Sequence, residues 1–134
     1  MFLLFKMVYC KLEVANLKEV VIIDGLRTPI GKFRGGLKDL TAVELGTQVT
    51  QALLRKYPSL KKDITQVYFG NVLQAGNGQN PARQVALASG LANTVPATTI
   101  NEVCGSGLKA VMFGRQAILL DEAEVVLVGG IESM

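Results

Sequence analysis

The chain has 134 residues and is short of several residue types. It has no histidine and only two cysteines, Cys10 and Cys104, which are too far apart in sequence to make a disulfide framework. Free thiols fit a reducing cytoplasm, so we expect a cytoplasmic protein. The net charge of +3 comes with no basic run interleaved with aromatic residues, which argues against a nucleic-acid partner.

Long hydrophobic runs are also absent. The chain opens with Met-Phe-Leu-Leu-Phe, but Lys6, Lys11 and Glu13 follow before an apolar run reaches membrane-spanning length, so we expect no membrane association. No charged segment precedes these apolar residues and no small-residue cleavage site follows them, which argues against a signal peptide. We interpret residues 1–17 as an N-terminal extension of unknown role, in which Cys10 is structural, and residues 18–134 as one domain.

Strand and helix patterns alternate from Glu19 onward, and a hydrophobic content of 49% is enough for a sizeable core. Short apolar runs predict four strands, within residues 20–23, 64–73, 98–103 and 125–128. The first run, Val-Val-Ile-Ile, is typical of a strand that is buried on both faces.

Helix signals lie between these runs. Thr41 and Glu44 form a capping-box pattern for a helix that runs to about Tyr57, before Pro58. Asn80 followed by Pro81 predicts the start of a second helix, which Gly90 closes.

A third helix is predicted after Cys104, with large apolar residues on one side and small residues on its other faces. We expect this helix to be covered on most sides. The predicted order is β-α-β-α-β-α-β, an α/β fold with a mainly parallel sheet, because a helix joins each pair of strands.

Cys104 stands where the third predicted strand turns into this helix. Most unpaired cysteines are small buried hydrophobic residues, and that interpretation has to be weighed first. Cys104, however, follows the carboxyl end of a predicted parallel strand, where open α/β sheets place their ligands. Gly105 and Ser106 are small enough for a large substrate to approach, and a helix N-terminus stabilises a thiolate. We therefore interpret Cys104 as a nucleophile.

Three stretches of the sequence resemble the thiolase family. Residues 100–111, Ile-Asn-Glu-Val-Cys-Gly-Ser-Gly-Leu-Lys-Ala-Val, together with Ile118, resemble its acyl-enzyme signature. Residues 24–33 are similar to its opening strand and loop, and residues 129–134, Gly-Gly-Ile-Glu-Ser-Met, to its glycine-rich segment after the fourth strand. The resemblance covers residues 18–134 and implies a truncated N-terminal half-domain of the thiolase fold.

The resemblance also implies a reaction. In the family, the cysteine that corresponds to Cys104 attacks an acyl-CoA thioester and keeps the acyl group. An acetyl-CoA C-acetyltransferase joins two acetyl-CoA molecules into acetoacetyl-CoA and CoA, or carries out the reverse thiolysis. The backbone N–H of Cys104 would help to hold the oxyanion. Coenzyme A thioesters are then the substrates, and neither a cofactor nor a metal is expected.

The sequence departs from the family pattern because it contains no histidine. Thiolases use a histidine and a second cysteine for acid–base chemistry, both in the C-terminal half, and the CoA-binding loop also lies outside the matching region. Cys104 is therefore the one catalytic residue of the family that the resemblance places in this sequence. Two hypotheses stay open: part of an acetyltransferase that needs a complementing C-terminal half, or a non-catalytic remnant or assembly module. A homo-oligomer is expected because a half-domain leaves an unpaired sheet edge.

Other residues near these motifs have less specific interpretations. Asn101, Gly105 and Ser106 are interpreted as residues that shape the turn, and Glu132 as a candidate neighbour of the site. A basic cluster of Arg27, Lys32 and Arg34 fits either a solvated loop or a contact with an anionic ligand.

Overall fold

The computed structural model describes residues 19–134, so the interpretations of residues 1–17 and of Cys10 lie outside its range. Within the described part, no helix is both long enough and apolar enough to cross a membrane. The elements of this part are α1 (Ala42–Lys56), α2 (Leu60–Asp63), β1 (Ile64–Gly70), α3 (Pro81–Ala88), β2 (Ala97–Ile100), α4 (Ser106–Leu119) and β3 (Val125–Gly130).

The sheet is parallel and has the strand order β2-β1-β3. Val67 on the central strand lies opposite Ala97 of β2 and Leu127 of β3. One face of the sheet packs against α1 and α3 around the buried side chains of Val67, Phe69 and Leu127. The other face packs against α4. The predicted α/β class and the parallel sheet are confirmed.

The capping box that was predicted for the first helix is present at the start of α1. The Thr41 hydroxyl accepts a hydrogen bond from the Glu44 N–H at 3.1 Å, and the Glu44 carboxylate accepts one from the Thr41 N–H at 2.7 Å. Two hydrogen bonds to its carboxylate lower the pKa of Glu44. The bond from the Thr41 N–H has the larger effect, and the bond from the Thr41 hydroxyl has the smaller one. The helix ends at Lys56, ahead of Pro58, because proline cannot continue a helix.

Asn80 caps α3 and also ties that helix to β2. Its side-chain oxygen accepts hydrogen bonds from the Arg83 N–H at 3.2 Å and from the Thr99 hydroxyl at 2.7 Å. Its side-chain amide donates to the Ala97 carbonyl at 2.9 Å. The predicted cap is confirmed, and it also positions the strand that leads to Cys104.

The prediction of a strand at residues 20–23 is wrong. These residues form no strand and do not join the sheet, and Val21, Ile22 and Ile23 remain 66%, 79% and 56% exposed. A cavity of about 380 Å³ separates the segment from β3 and from α4. A β-branched run favours a strand only where a neighbouring strand pairs with it, and β3 pairs with β1 alone in the described part of the chain.

The packing of α4 also differs from the prediction. Its buried face is formed by the small residues Ala110, Gly114 and Ala117, whereas Leu108 and Met112 are exposed. A Cβ atom on Gly114 would lie 2.6 Å from the side chain of Val128 in β3. The helix therefore lies very close to the sheet on its small-residue face, and its large apolar residues point elsewhere.

Candidate active site at the turn before helix α4

Cys104 is a free, exposed thiol in the connection between β2 and α4. β2 ends at Ile100, and α4 begins at Ser106 with Gly105 as its N-cap. The structure thus places the thiol just ahead of a helix N-terminus, at the carboxyl end of a parallel strand. Open α/β sheets bind their ligands at this edge.

Side chains on both sides of Cys104 shape the turn, as predicted for Asn101 and Ser106. The side-chain oxygen of Asn101 accepts a hydrogen bond from the Val103 N–H at 3.0 Å. The Ser106 hydroxyl donates to the Val103 carbonyl at 2.6 Å and accepts from the Glu102 N–H at 2.8 Å. Since Ser106 is only 3% exposed, these two bonds satisfy a buried hydroxyl and hold the backbone before Cys104.

The left-handed backbone conformation in this turn falls on Val103, with φ 51°, and not on Gly105, with φ −82°. A β-branched residue with positive φ is uncommon, because its side chain crowds the backbone. The sequence motif, with its two glycines, does not indicate strain at this position. The strained residue directly precedes the candidate nucleophile, which is where such strain is often found.

The start of α4 sits very close to the ends of the strands because glycine occupies the contact positions. A Cβ atom on Gly130, the last residue of β3, would lie 3.3 Å from the Cα atom of Gly107. A side chain at Gly130 would therefore press on the first turn of α4, whereas a Cβ atom on Gly107 would lie 3.6 Å from Gly130, an ordinary contact distance. Helix α4 and the turn before it are therefore held on the sheet by backbone contact.

The charged side chains that flank Cys104 in the sequence pair with each other. Lys109 of α4 forms an ion pair with Glu102 at 3.1 Å. The basic cluster of Arg27, Lys32 and Arg34 lies in an exposed loop, where the guanidinium of Arg34 stacks on the ring of Phe33 at 5.5 Å. This exposure fits the solvated-loop interpretation. Across residues 19–134, no three His, Cys, Asp or Glu side chains come together as a metal site would require.

Glu132 lies next to the loop that follows β1, residues 71–73, and its hydrogen bonds go to that loop. Its carboxylate accepts hydrogen bonds from the Val72 N–H at 2.9 Å, from the Leu73 N–H at 3.0 Å and from the Asn71 side-chain amide at 3.2 Å. Asn71 is completely buried. Sequence reasoning named Glu132 without a partner and missed this loop, because the contacts join residues 60 positions apart.

Comparison with known proteins identifies the family of this chain. The family description "Thiolase, N-terminal domain" matches residues 20–134. The chain belongs to the thiolase family. Its curated relatives include an acetyl-CoA acetyltransferase of Chromobacterium violaceum, 53% identical over 116 residues, and a cytosolic acetyl-CoA acetyltransferase of Gibberella zeae, 49% identical over 121 residues.

Two solved thiolase structures share the fold. An acetyl-CoA acetyltransferase of Bacillus anthracis superposes with a TM-score of 0.74 at 38% identity, over 78% of this chain and 27% of that one. A thiolase of Ascaris suum in complex with coenzyme A gives 0.74 at 42% identity, over 78% and 28%. The matches to the two curated relatives cover 87% and 90% of this chain. The chain spans about 30% of the length of those relatives.

Proposed function

We propose that this thiolase chain carries the acyl-accepting nucleophile of an acetyl-CoA C-acetyltransferase, and that Cys104 is that nucleophile. The observation that carries the proposal is the position of an exposed free thiol just before α4, at the carboxyl edge of the sheet. The names of the relatives support an acetyl-CoA substrate, and the Ascaris suum thiolase was solved in complex with coenzyme A.

The reaction begins when the Cys104 thiolate attacks the carbonyl carbon of an acyl-CoA thioester. A new carbon–sulfur bond forms to Cys104, the bond to the CoA sulfur breaks, and CoA leaves as a thiolate that takes up a proton. We assign to the backbone N–H of Cys104 a hydrogen bond that stabilises the negative charge on the carbonyl oxygen during this step. Because one thioester replaces another, the acyl group stays activated for the second transfer.

The second transfer needs groups that this chain does not contain. It has no histidine, and a positioned acid–base residue contributes about 10²–10⁴-fold to the rate. We propose that a C-terminal half supplies that residue and the remaining coenzyme A contacts, since the chain spans about 30% of the relatives it matches. The cytosolic relative of Gibberella zeae supports assignment of this chain to the cytoplasm as well.

Thiolysis of acetoacetyl-CoA by CoA tests this proposal. The chain and its Cys104→Ala variant are assayed alone and with the remaining part of the Chromobacterium violaceum relative, produced separately. We expect no enzymatic turnover from the chain alone and Cys104-dependent turnover from the mixture. Robust turnover by the chain alone, or turnover in the mixture that does not depend on Cys104, would contradict the proposal.

A non-catalytic role as an assembly module is the second candidate. It is supported by the lack of histidine and by the large apolar side chains that α4 leaves exposed, Leu108 and Met112. Under this alternative, the mixture would form a stable complex without Cys104-dependent turnover. The assay above therefore separates the two candidates when it is combined with size-exclusion chromatography of the mixture.

A further inference from the structure

Glu132 connects two loops at the carboxyl edge of the sheet. Its carboxylate accepts the Val72 and Leu73 N–H groups as well as the side-chain amide of Asn71. The same Asn71 amide also donates to the Ile131 carbonyl at 3.1 Å. One carboxylate thus holds three consecutive residues of the loop after β1, two of them by the backbone.

That loop in turn holds the residue that shapes the Cys104 turn. The Val72 carbonyl accepts a hydrogen bond from the side-chain amide of Asn101 at 3.3 Å. The Asn71 N–H donates to the Ile100 carbonyl at 2.9 Å, which fixes the end of β2 against the loop. The other side-chain atom of Asn101, its oxygen, accepts the Val103 N–H. Asn101 therefore bridges the loop that Glu132 holds and the residue directly before Cys104.

Val103 needs such support because its backbone is strained. A residue held in a sparsely populated conformation keeps it only when the surrounding contacts over-determine it. Ser106 holds Val103 directly, whereas the contact of Asn101 with Val72 leads back to Glu132. A carboxylate suits this position, since its two oxygens can accept from two backbone N–H groups at once.

We propose that Glu132 is a positioning residue for Cys104: it holds the 71–73 loop so that Asn101 keeps the left-handed turn at Val103, which orients the thiol. The significance of this role for acyl transfer rests on the proposed function. The hydrogen bonds of Glu132 go to the 71–73 loop, so we assign its effect on Cys104 to the contact of that loop with Asn101. Hydrogen bonds through Val72 and Asn101 link Glu132 to the turn. We assign it no covalent or acid–base step.

Amide hydrogen exchange, resolved by NMR and recorded on the full chain without acyl-CoA, tests the proposal. The variants are Glu132→Ala and Glu132→Gln, with Glu124→Ala as a matched control, because Glu124 is exposed. The Val103 amide reports the turn, and the Val67 amide, which donates to the Pro96 carbonyl, reports the core. We expect Glu132→Ala to speed exchange at Val103 by about tenfold, equivalent to about 1.4 kcal/mol, and to leave Val67 unchanged.

The glutamine variant distinguishes positioning from simple loss of the fold. It keeps the size of Glu132 and one acceptor oxygen, so its exchange at Val103 should fall between wild type and Glu132→Ala. Unchanged exchange at Val103 in Glu132→Ala would overturn the proposal. Equal acceleration at Val103 and Val67, or global unfolding of both variants, would overturn it as well.

A parallel measurement separates this proposal from the proposed function. In the mixture of the chain with the remaining part of the Chromobacterium violaceum relative, the rate of Cys104 acetylation by acetyl-CoA should fall in Glu132→Ala and stay unchanged in Glu124→Ala. Faster exchange at Val103 together with a Cys104 that is never acetylated in that mixture would contradict the proposed function and support the positioning role. Normal acetylation together with unchanged exchange at Val103 would support the proposed function and contradict the positioning role.

Discussion

Gly70, the last residue of β1, lies directly against Ser106, the first residue of α4. A Cβ atom on Gly70 would lie 2.4 Å from the carbonyl carbon of Ser106 and 2.6 Å from the nitrogen of Gly107. Both distances are shorter than van der Waals contact, so the central strand ends in glycine where the helix begins. The first turn of α4, directly after Cys104, therefore packs against the end of the central strand.

Gly70→Ala should destabilise the domain, because the new methyl group meets backbone atoms that cannot rotate away. We expect a loss of about 1–3 kcal/mol in the free energy of unfolding, which is typical of overpacking. Urea unfolding followed by circular dichroism measures it. Gly36→Ala is the control, since a Cβ atom there has nothing within 4 Å. Equal stabilities for the two variants would show that α4 is not held by this contact.

Val103→Asn should stabilise the domain. Val103 has φ 51°, and asparagine adopts this left-handed conformation more readily than a β-branched residue does. Relief of the strain is worth about 1 kcal/mol, and the same urea experiment detects it. Val21→Asn is a control of matched exposure, 66% against 65% for Val103, and should have little effect. A destabilised Val103→Asn variant would contradict the claim that the backbone of Val103 is strained.

Glu44→Gln should lower the melting temperature at neutral pH and lose this effect in acid. Hydrogen bonds from the Thr41 N–H and hydroxyl lower the pKa of Glu44 in the folded chain. The stability that this carboxylate adds is therefore present above its unfolded pKa and is lost as pH falls through its folded pKa. Melting curves between about pH 7 and pH 3 should show the wild-type and Glu44→Gln temperatures converging.

Glu124→Gln is the control for this series, because it removes an exposed carboxylate that caps no helix. Its melting temperature should follow that of the wild type over the whole range. A difference between wild type and Glu44→Gln that stayed constant down to the lowest pH would show that the capping box does not depend on the charge of Glu44.

The isolated chain should self-associate. Leu108, Met112 and Leu120 are 69%, 46% and 69% exposed, and large exposed apolar surface is uncommon on monomers. Sedimentation velocity at tens of micromolar, an order-of-magnitude range for weak association, should show species larger than a monomer. Leu108→Glu should reduce association more than Leu87→Glu on α3 does. A clean monomer of the wild-type chain would rule this out.

Local signals predicted much of the fold. Thr41 with Glu44 and Asn80 with Pro81 mark helix starts in the structure, because caps depend on residues three or four positions apart. The strand at residues 20–23 was predicted wrongly, since β-branched residues indicate a preference and not a partner strand. The expectation that α4 is covered on most sides was also wrong, since Leu108 and Met112 are exposed. The helix packs on its small residues, because glycine at position 114 lets it come close to Val128.

The candidate site shows the same division. Cys104, Asn101 and Ser106 belong to one short motif, so their placement in the turn was predictable from neighbouring residues. The link from Glu132 through the 71–73 loop depends on where three separate segments meet, and no local pattern encodes it. The strain at Val103 was equally hidden, since the motif suggests glycine as the residue that turns the chain.

Acetylation of Cys104 by acetyl-CoA tests the central claim most directly. The chain, mixed with the remaining part of the Chromobacterium violaceum relative, is exposed briefly to acetyl-CoA, quenched in acid and mapped by peptide mass spectrometry. The account predicts an acetyl group on Cys104 that is absent from Cys104→Ser and that is removed when CoA is added before the quench. An unmodified Cys104, or acetylation that is equal at Cys10 and Cys104, would contradict it.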